Sequence, residues 1–344
     1  VRKRAQVSLL AHRYGERAAL EGFGAVFSFL GRSRGVPGLV GVQIEEYGFS
    51  LAHVVPVANA RPQLAHCRYV PLSSPALLED ALRDAVRQAK LERARAVFVL
   101  GPGSYALRIV DAPQVQPEER KAAARWSIQE LVDFDASDAA VDVFEVPAEI
   151  HREGSAARLF VAAAPGEAVR RSIALARAAG LELHAIDITE LALRNVAALH
   201  PAESGGVAAV LLGDEGLITV SREGALFVAR WVGVSEREVE NAVAKPEGDA
   251  VQGEESLDAL VLEIQRSLDY YEHELRQRPV RSLLVAPLEH GASTLEEWLA
   301  RNLSLPVEWL DLNRLLTVPT PLAAGLQRRC LAAVGGALRA EDGA

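Results

Sequence analysis

Apolar residues along this chain follow two periods, one near two residues and one near three and a half, and the switches between them mark its elements. The clearest stretch is residues 206–234, GVAAVLLGDEGLITVSREGALFVARWVGV. It predicts three strands: an apolar β-branched run over 207–212, an alternating run over 217–220 and a return over 226–232. The turns between them are Gly213-Asp214-Glu215-Gly216 and Arg222-Glu223-Gly224, built from residues that tolerate turn geometry. A weaker copy lies upstream at 38–55, GLVGVQIEEYGFSLAHVV, with strands over 39–44 and 49–55 around a turn at 45–48. Two strand-turn-strand units opening two halves of one chain point to an internal duplication.

The remaining pattern fills in around these units. A third strand is expected at 65–71, and a helix from Ser74-Pro75 to Leu91 with Leu78, Leu82 and Val86 on one face, Pro suiting the first helical turn. AVFVL at 96–100 reads as a strand covered on both faces. After the break Gly101-Pro102-Gly103 come a strand at 105–110, a helix at 117–132 striped by Ala124, Ile128, Leu131 and Val132, strands at 139–146 and 158–164, and a helix at 167–179 stopped by Gly180. This order predicts a small two-layer insert over about 104–179. A strand at 183–188 and a helix at 190–199 return the chain to the first layer, and 202–206 reads as a hinge. Beyond the second meander, 245–253 reads as a polar loop. A long helix follows over 256–276, with Leu257, Leu260, Val261, Ile264, Leu268, Tyr271 and Leu275 on one stripe. A strand at 283–286, a helix at 295–303, a strand at 307–310 and a last helix at 323–338 complete the chain. Residues 1–37 show no clean period and are expected to be a flexible tail.

Composition narrows function more than fold. Hydrophobic residues make up 49% and charged residues 24% of the 344, which fits a globular core. The net charge of −9 is a poor match for nucleic acid. The longest N-terminal apolar run, 23–30, is short, follows Glu16 and Glu21 and lacks a small-residue cleavage pattern, so no secretory signal and no membrane span is expected. The expected location is cytoplasmic. Cys67 and Cys330 lie far apart with no CxxC or His partner, which favours buried thiols over metal or redox use. His53 and His184 sit in or beside strands and read as core or edge residues. Asp187, ending an apolar strand, reads as a cap for the helix that follows. Trp126 lies off its helix's stripe and is either a core residue of the insert or an exposed anchor for a partner; the usual burial of Trp favours the core.

Paired hairpins facing across a cleft are how actin-like ATPases hold a nucleotide, with turn amides on phosphate and a carboxylate in each half. Here the turns carry Glu45, Glu46, Asp214 and Glu215 and no Lys or Arg. One carboxylate about 5 Å from a phosphate charge costs ~3 kcal/mol at an effective dielectric of about 20. Solvated hairpin turns are therefore the favoured reading.

Four stretches resemble the PilM/MshI family of type IV pilus assembly: 113–146, 158–199 including GLELHAIDITELALRN, LVLEIQRSLDYY at 260–271, and AAVGGALR at 332–339. The resemblance implies an α/β, actin-like (FtsA/PilM-type) two-lobed fold with an inserted small α+β subdomain: a first lobe over 38–200 and a second over 206–340 with a helical subdomain shortened to 235–253. MshI is the closer branch, its turns being similarly short of nucleotide motifs. Against the family pattern G-x-D-I-G-S-S, Gln43 stands at the acid and Glu45 at the glycine; in the second turn Leu211 replaces the acid of D-I-G and Gly213 is kept. Ala286-Pro287-Leu288-Glu289 replaces the paired glycines at the adenosine edge. The resemblance thus implies a non-catalytic scaffold, a pseudo-ATPase at the inner membrane, that binds the cytoplasmic N-terminal segment of a PilN/MshJ-like inner-membrane subunit. Gln43, Glu45, Gly213, Asp214 and Gly216 would mark a degenerate nucleotide cleft, and Trp126 a partner contact. No catalytic residue, metal or resident cofactor is expected. The alternatives are an ATP-binding switch whose acids hold magnesium, and the cytoplasmic domain of a type II secretion GspL-like protein, which expects a membrane helix downstream. A sugar or acid kinase of the superfamily needs a catalytic acid in the cleft, and none is evident in the sequence.

Overall fold

A computed structural model describes residues 35–116, 119–147, 158–244 and 250–340. The expected N-terminal tail lies outside these except for its last three residues. The first sheet holds β1 (Leu39–Glu45), β2 (Gly48–Val55), β3 (Gln63–Pro71), β4 (Arg95–Leu100) and β8 (Glu182–Ile188) in the order β3-β2-β1-β4-β8. The second holds β9 (Val207–Leu212), β10 (Gly216–Arg222), β11 (Ala225–Val232), β12 (Ser282–Val285) and β13 (Val307–Trp309) in the order β11-β10-β9-β12-β13. In each, an antiparallel meander is extended by two parallel strands. The two halves repeat one topology strand for strand, as the paired hairpins predict.

Each sheet is covered on both faces, so its strands read as near-continuous apolar runs. On the outer face of the first sheet, α1 (Leu78–Gln88) and α3 (Gly166–Ala179) bury Leu82, Val86 and Ala176 against Val40, Val42 and Phe98. Helix α3 thus lies in this outer layer rather than in the insert. On the second sheet, α6 (Ala250–Asp269) and α7 (Ala292–Asn302) bury Leu260, Ile264 and Leu295 against Val210, Ile218 and Val285. The inner faces meet through two helices, α4 (Thr189–Ala197) and α9 (Ala324–Ala337), the latter preceded by the single turn α8 (Leu312–Leu315); they share one core with Ala52, Val97, Ala209 and Leu284.

These helices are exchanged: α9, last in the second half, packs on β1, β2 and β3, while α4 packs on β9, β10 and β11. The close approach requires glycine. A Cβ on Gly41 would land on the Ala333 carbonyl, and one on Gly335 on the Ala192 carbonyl. The expected hinge at 202–206 is stitched down. Pro201–Gly205 is a single helical turn, buried Glu203 accepts the Gly224 amide at 2.6 Å, and the Gly206 carbonyl accepts the Arg281 amide at 2.7 Å.

Several local expectations are corrected. Helix α2 (Arg120–Ile128) ends before Leu131, which is exposed. The loop expected over 245–253 is helical from Ala250, because Gly253 is tolerated inside a long helix; 245–249 lie outside the described residues. Helix α5 (Glu236–Ala244) begins at a capping box, with the Ser235 amide donating to Glu238 Oε2 at 2.8 Å and the Glu238 amide to Ser235 Oγ at 3.3 Å. The last turn of the long helix widens over Tyr270–Glu274. It turns Tyr271 into the core and leaves Tyr270 to accept Arg158 at 2.7 Å.

The insert is a three-stranded sheet, β5 (Ala106–Asp111), β6 (Ala140–Glu145) and β7 (Arg158–Ala164), in the order β5-β7-β6. Its outer face packs Val141, Val161 and Ala163 under α2. Its inner face, with Phe144 stacked on Phe160 at 4.9 Å, joins the core of the second half.

Candidate functional site

The carboxyl ends of the central strands of both sheets open into one cleft of about 1330 Å³, the place where open α/β sheets take ligands. The β1–β2 turn brings Gln43, Glu45 and Glu46 to one wall, and the β9–β10 turn brings Gly213, Asp214 and Glu215 to the other. Gly101-Pro102-Gly103, between β4 and the insert, lies along the same cleft. Four of the five residues expected there, Gln43, Glu45, Gly213 and Asp214, do line it. Gly216 does not: it opens β10 and is buried, and a Cβ on it would press on Val232 and the Val234 carbonyl.

Charge in the cleft comes from more of the chain than the turns. Glu236 and Glu240 of α5 and Glu289 add to the four turn acids, and three guanidinium groups enter from helices, Arg171 from α3 and Arg328 and Arg329 from α9. Two of the three are engaged. Arg328 forms an ion pair with Glu236. Arg329 lies over the Tyr69 ring at 4.5 Å and 4.0 Å from Glu45, to which Tyr69 donates at 3.1 Å. Burial holds the Glu236 carboxyl above its ordinary range, against the pull of Arg328. Seven carboxylates against three cations leave the lining acidic.

The β9–β10 turn does not present its backbone donor to the cleft. The Gly213 amide, where a phosphate-binding turn would offer a free N–H, donates to the Glu215 carbonyl at 3.1 Å, and the Gly213 carbonyl is taken by the Glu236 amide at 2.8 Å. Neither turn supplies a cation. The volume remains ample, since small-molecule sites are usually about 300–1,000 Å³. Among the described residues, no group of three or more His, Cys, Asp or Glu is placed to hold a metal ion.

Beneath the cleft sits a carboxylate that sequence reasoning missed. Glu190, on the first turn of α4, is 1% exposed. Its Oε2 accepts the Tyr105 hydroxyl at 2.5 Å and its Oε1 accepts Trp231 Nε1 at 2.8 Å. It ties the start of the insert to β11 of the second half. Burial pushes its carboxyl above the ordinary range, and pushes the Tyr105 hydroxyl well up beside it. With both oxygens engaged and the side chain sealed, it is a structural tie and not an acid presented to a ligand. An acid on the first turn of a helix after an apolar strand was the available signal.

The other expectations divide. Asp187 does not cap α4. It is 1% exposed, and its Oδ2 accepts Arg339, just beyond α9, at 3.0 Å. His53 is buried, with its ring Nε2 2.7 Å from the Pro37 carbonyl, as a core or edge residue. Cys330 is buried and Cys67 half-buried, both as free thiols. The core reading of Trp126 fails: it is 77% exposed, because α2 turns Ala124 and Ile128 inward instead.

Compared with protein-family models and with curated proteins, the chain matches none. Among solved structures it is similar to the PilM-PilN type IV pilus biogenesis complex, with a TM-score of 0.65 and 20% identity over 88% of this chain and 98% of that one. It is more distantly similar to the cytoplasmic domain of EpsL, an inner membrane component of the type II secretion system of Vibrio cholerae (TM-score 0.45, 14% identity, 86% and 94% covered). A Bacteroides thetaiotaomicron protein of unknown function with an actin-like ATPase fold gives a TM-score of 0.47 at 10% identity, over 81% and 92%. At such identities the likeness speaks for architecture: the chain has the actin-like two-lobed α/β fold, with a small α+β insert after β4.

Proposed function

We propose that this chain is a non-catalytic scaffold of a type IV pilus assembly of the MSHA kind, held at the cytoplasmic face of the inner membrane. It binds the N-terminal cytoplasmic segment of a PilN/MshJ-like membrane subunit. The observation that carries the reading is the likeness, over 98% of its length, to a chain solved in a PilM-PilN complex. Two features of this chain support it. The acidic cleft, with its turn amide folded inward, is suited to shape rather than to phosphate chemistry. Trp126 stands exposed on the insert, in the manner of an aromatic contact anchor. An extended peptide would add to a sheet edge of the insert or fill the groove between insert and lobe. Among the described residues no helix is long and apolar enough to cross a membrane; in this reading the partner supplies a membrane link.

Co-purification tests the reading. A candidate membrane subunit is retained when its first cytoplasmic residues are present and lost when they are deleted; equal retention of both overturns it. The competing reading, an ATP-binding switch, draws on the cleft's volume. ATP with magnesium is expected to leave the thermal midpoint unchanged. A concentration-dependent rise of several degrees would establish the switch, because a ligand that binds only the folded state stabilises it.

A further inference from the structure

The chain's two cysteines, 263 positions apart in sequence, are brought together where α9 crosses the first sheet. Strand register gives the geometry. Gly41 on β1 is opposite Ala52 on β2, and Ala52 is opposite Cys67 on β3, so the three residues form one row across the sheet and share a face. That face is the one α9 covers, since a Cβ on Gly41 would point into the Ala333 carbonyl. Helix α9 begins its crossing over the other end of the row. Arg329 lies over the ring of Tyr69, which is two residues along β3 from Cys67 and on its face. Cys330 follows Arg329, and Cys67 packs against the apolar cluster that contains Cys330, Ala52 and Leu64.

We propose that Cys67 and Cys330 are a redox-reactive pair, which a hydroperoxide converts into an intrachain disulfide stapling α9 to β3. The half-buried Cys67 is the point of entry. Its sulfur attacks the peroxide, giving a sulfenic acid and releasing the other oxygen as an alcohol, or as water when the oxidant is hydrogen peroxide; the Cys330 sulfur then displaces the hydroxyl of that sulfenic acid, forming the S–S bond and water. Each thiol gives up one hydrogen, and the peroxide O–O bond takes the two electrons. The neighbouring Cys67, with burial, pushes the Cys330 thiol above its ordinary value. The staple would fix Arg329 and Tyr69 at the edge of the cleft, and it closes a long loop, which raises stability.

The test uses the full chain with stoichiometric hydrogen peroxide under non-reducing conditions. With only two cysteines in the sequence, the expected result is a fall from two titratable thiols to none and a mass loss of two hydrogens. A single cross-linked peptide containing both cysteines and a higher thermal midpoint, each reversed by dithiothreitol, should accompany it. In Cys330→Ser, Cys67 has no resolving partner, and the mass rises by oxygen atoms instead. The proposal is overturned if the wild-type chain gains oxygen on Cys67, forms only interchain dimers, or keeps both thiols while an added small-molecule thiol in the same tube is consumed.

Discussion

The two sheets share one strand order and one arrangement of covering helices, yet they end differently at their outer parallel strands. In the first, the penultimate residue of β8 is Asp187, whose carboxylate is sealed against Arg339 with side-chain exposures of 1% and 6%. In the second, the corresponding β13 finishes on Trp309, whose Nε1 donates to the half-buried Glu296 at 2.5 Å, and then on buried Leu310. The first half is thus closed by an ion pair reaching the far end of the chain, the second by a local bond within its own lobe. A duplicated framework fixes where the strands lie. What fastens each copy is set by which part of the rest of the chain passes it.

The sharpest way to break this comparison is to remove the buried acid. Asp187→Ala leaves the Arg339 guanidinium without its carboxylate inside the core, and losing one partner of a buried pair costs ~3–5 kcal/mol. Glu296→Ala, on α7, removes the acceptor of the half-buried Trp309 N–H at the end of β13 and should cost about 1 kcal/mol. Urea unfolding of both variants measures the difference; equal losses would mean that the ionic tie contributes nothing special to the first half.

Glu190 sharpens the comparison from the other side, because it is where the exchanged helix α4 grips the second sheet. Glu190→Ala takes the acceptor from the partly buried Trp231 N–H and Tyr105 hydroxyl, at about 1–3 kcal/mol. Glu190→Gln keeps an acceptor and removes the charge. In the wild-type chain the folded-state pKa is raised above the ordinary 4.5 by burial, so the folded chain holds this proton more tightly than the unfolded one. The group therefore favours folding most below that ordinary value. Its contribution declines as pH rises toward the raised folded value and is level beyond it. Stability of the Gln variant relative to wild type should climb over that window and then stay flat, as read by denaturation at a series of pH values. A flat difference throughout would mean that Glu190 is already ionised at no cost.

The framework was legible because it is local. The two meanders, the α6 stripe from Leu257 to Leu275 and the Gly180 stop each declare themselves within one or two turns of chain. Long-range partnerships were not: nothing near Asp187 announces an arginine 152 positions away, and nothing in the turns announces that Arg328 and Arg329 arrive on α9. The exchange of α4 and α9 between sheets leaves only a faint trace, in the small residues of AAVGGA. Trp126 was misjudged for the same reason: its burial depends on which face α2 turns to the insert sheet, and a nine-residue helix striped mostly with alanine states that weakly.

The smallest expected effect concerns the mouth of the cleft, where the two hairpins differ most in what they ask of their glycines. Gly48, ending the first turn, lies under Tyr69, and a Cβ there would meet the tyrosine hydroxyl. Gly213, in the turn of the second hairpin, is otherwise placed. Its φ is not positive, and a Cβ on it would find nothing nearer than the Glu215 carbonyl at 3.5 Å. In a working phosphate loop such a glycine serves to let backbone approach the ligand. In this chain the Gly213 amide is already spoken for within the turn. Gly213→Ala should therefore change stability by no more than about 0.5 kcal/mol, as at an ordinary surface position. It should also leave retention of the membrane subunit's N-terminal segment unchanged. Loss of partner binding in this variant, with folding intact, would mean that the second hairpin still meets a ligand through its backbone, and the cleft would regain the role its charge argues against.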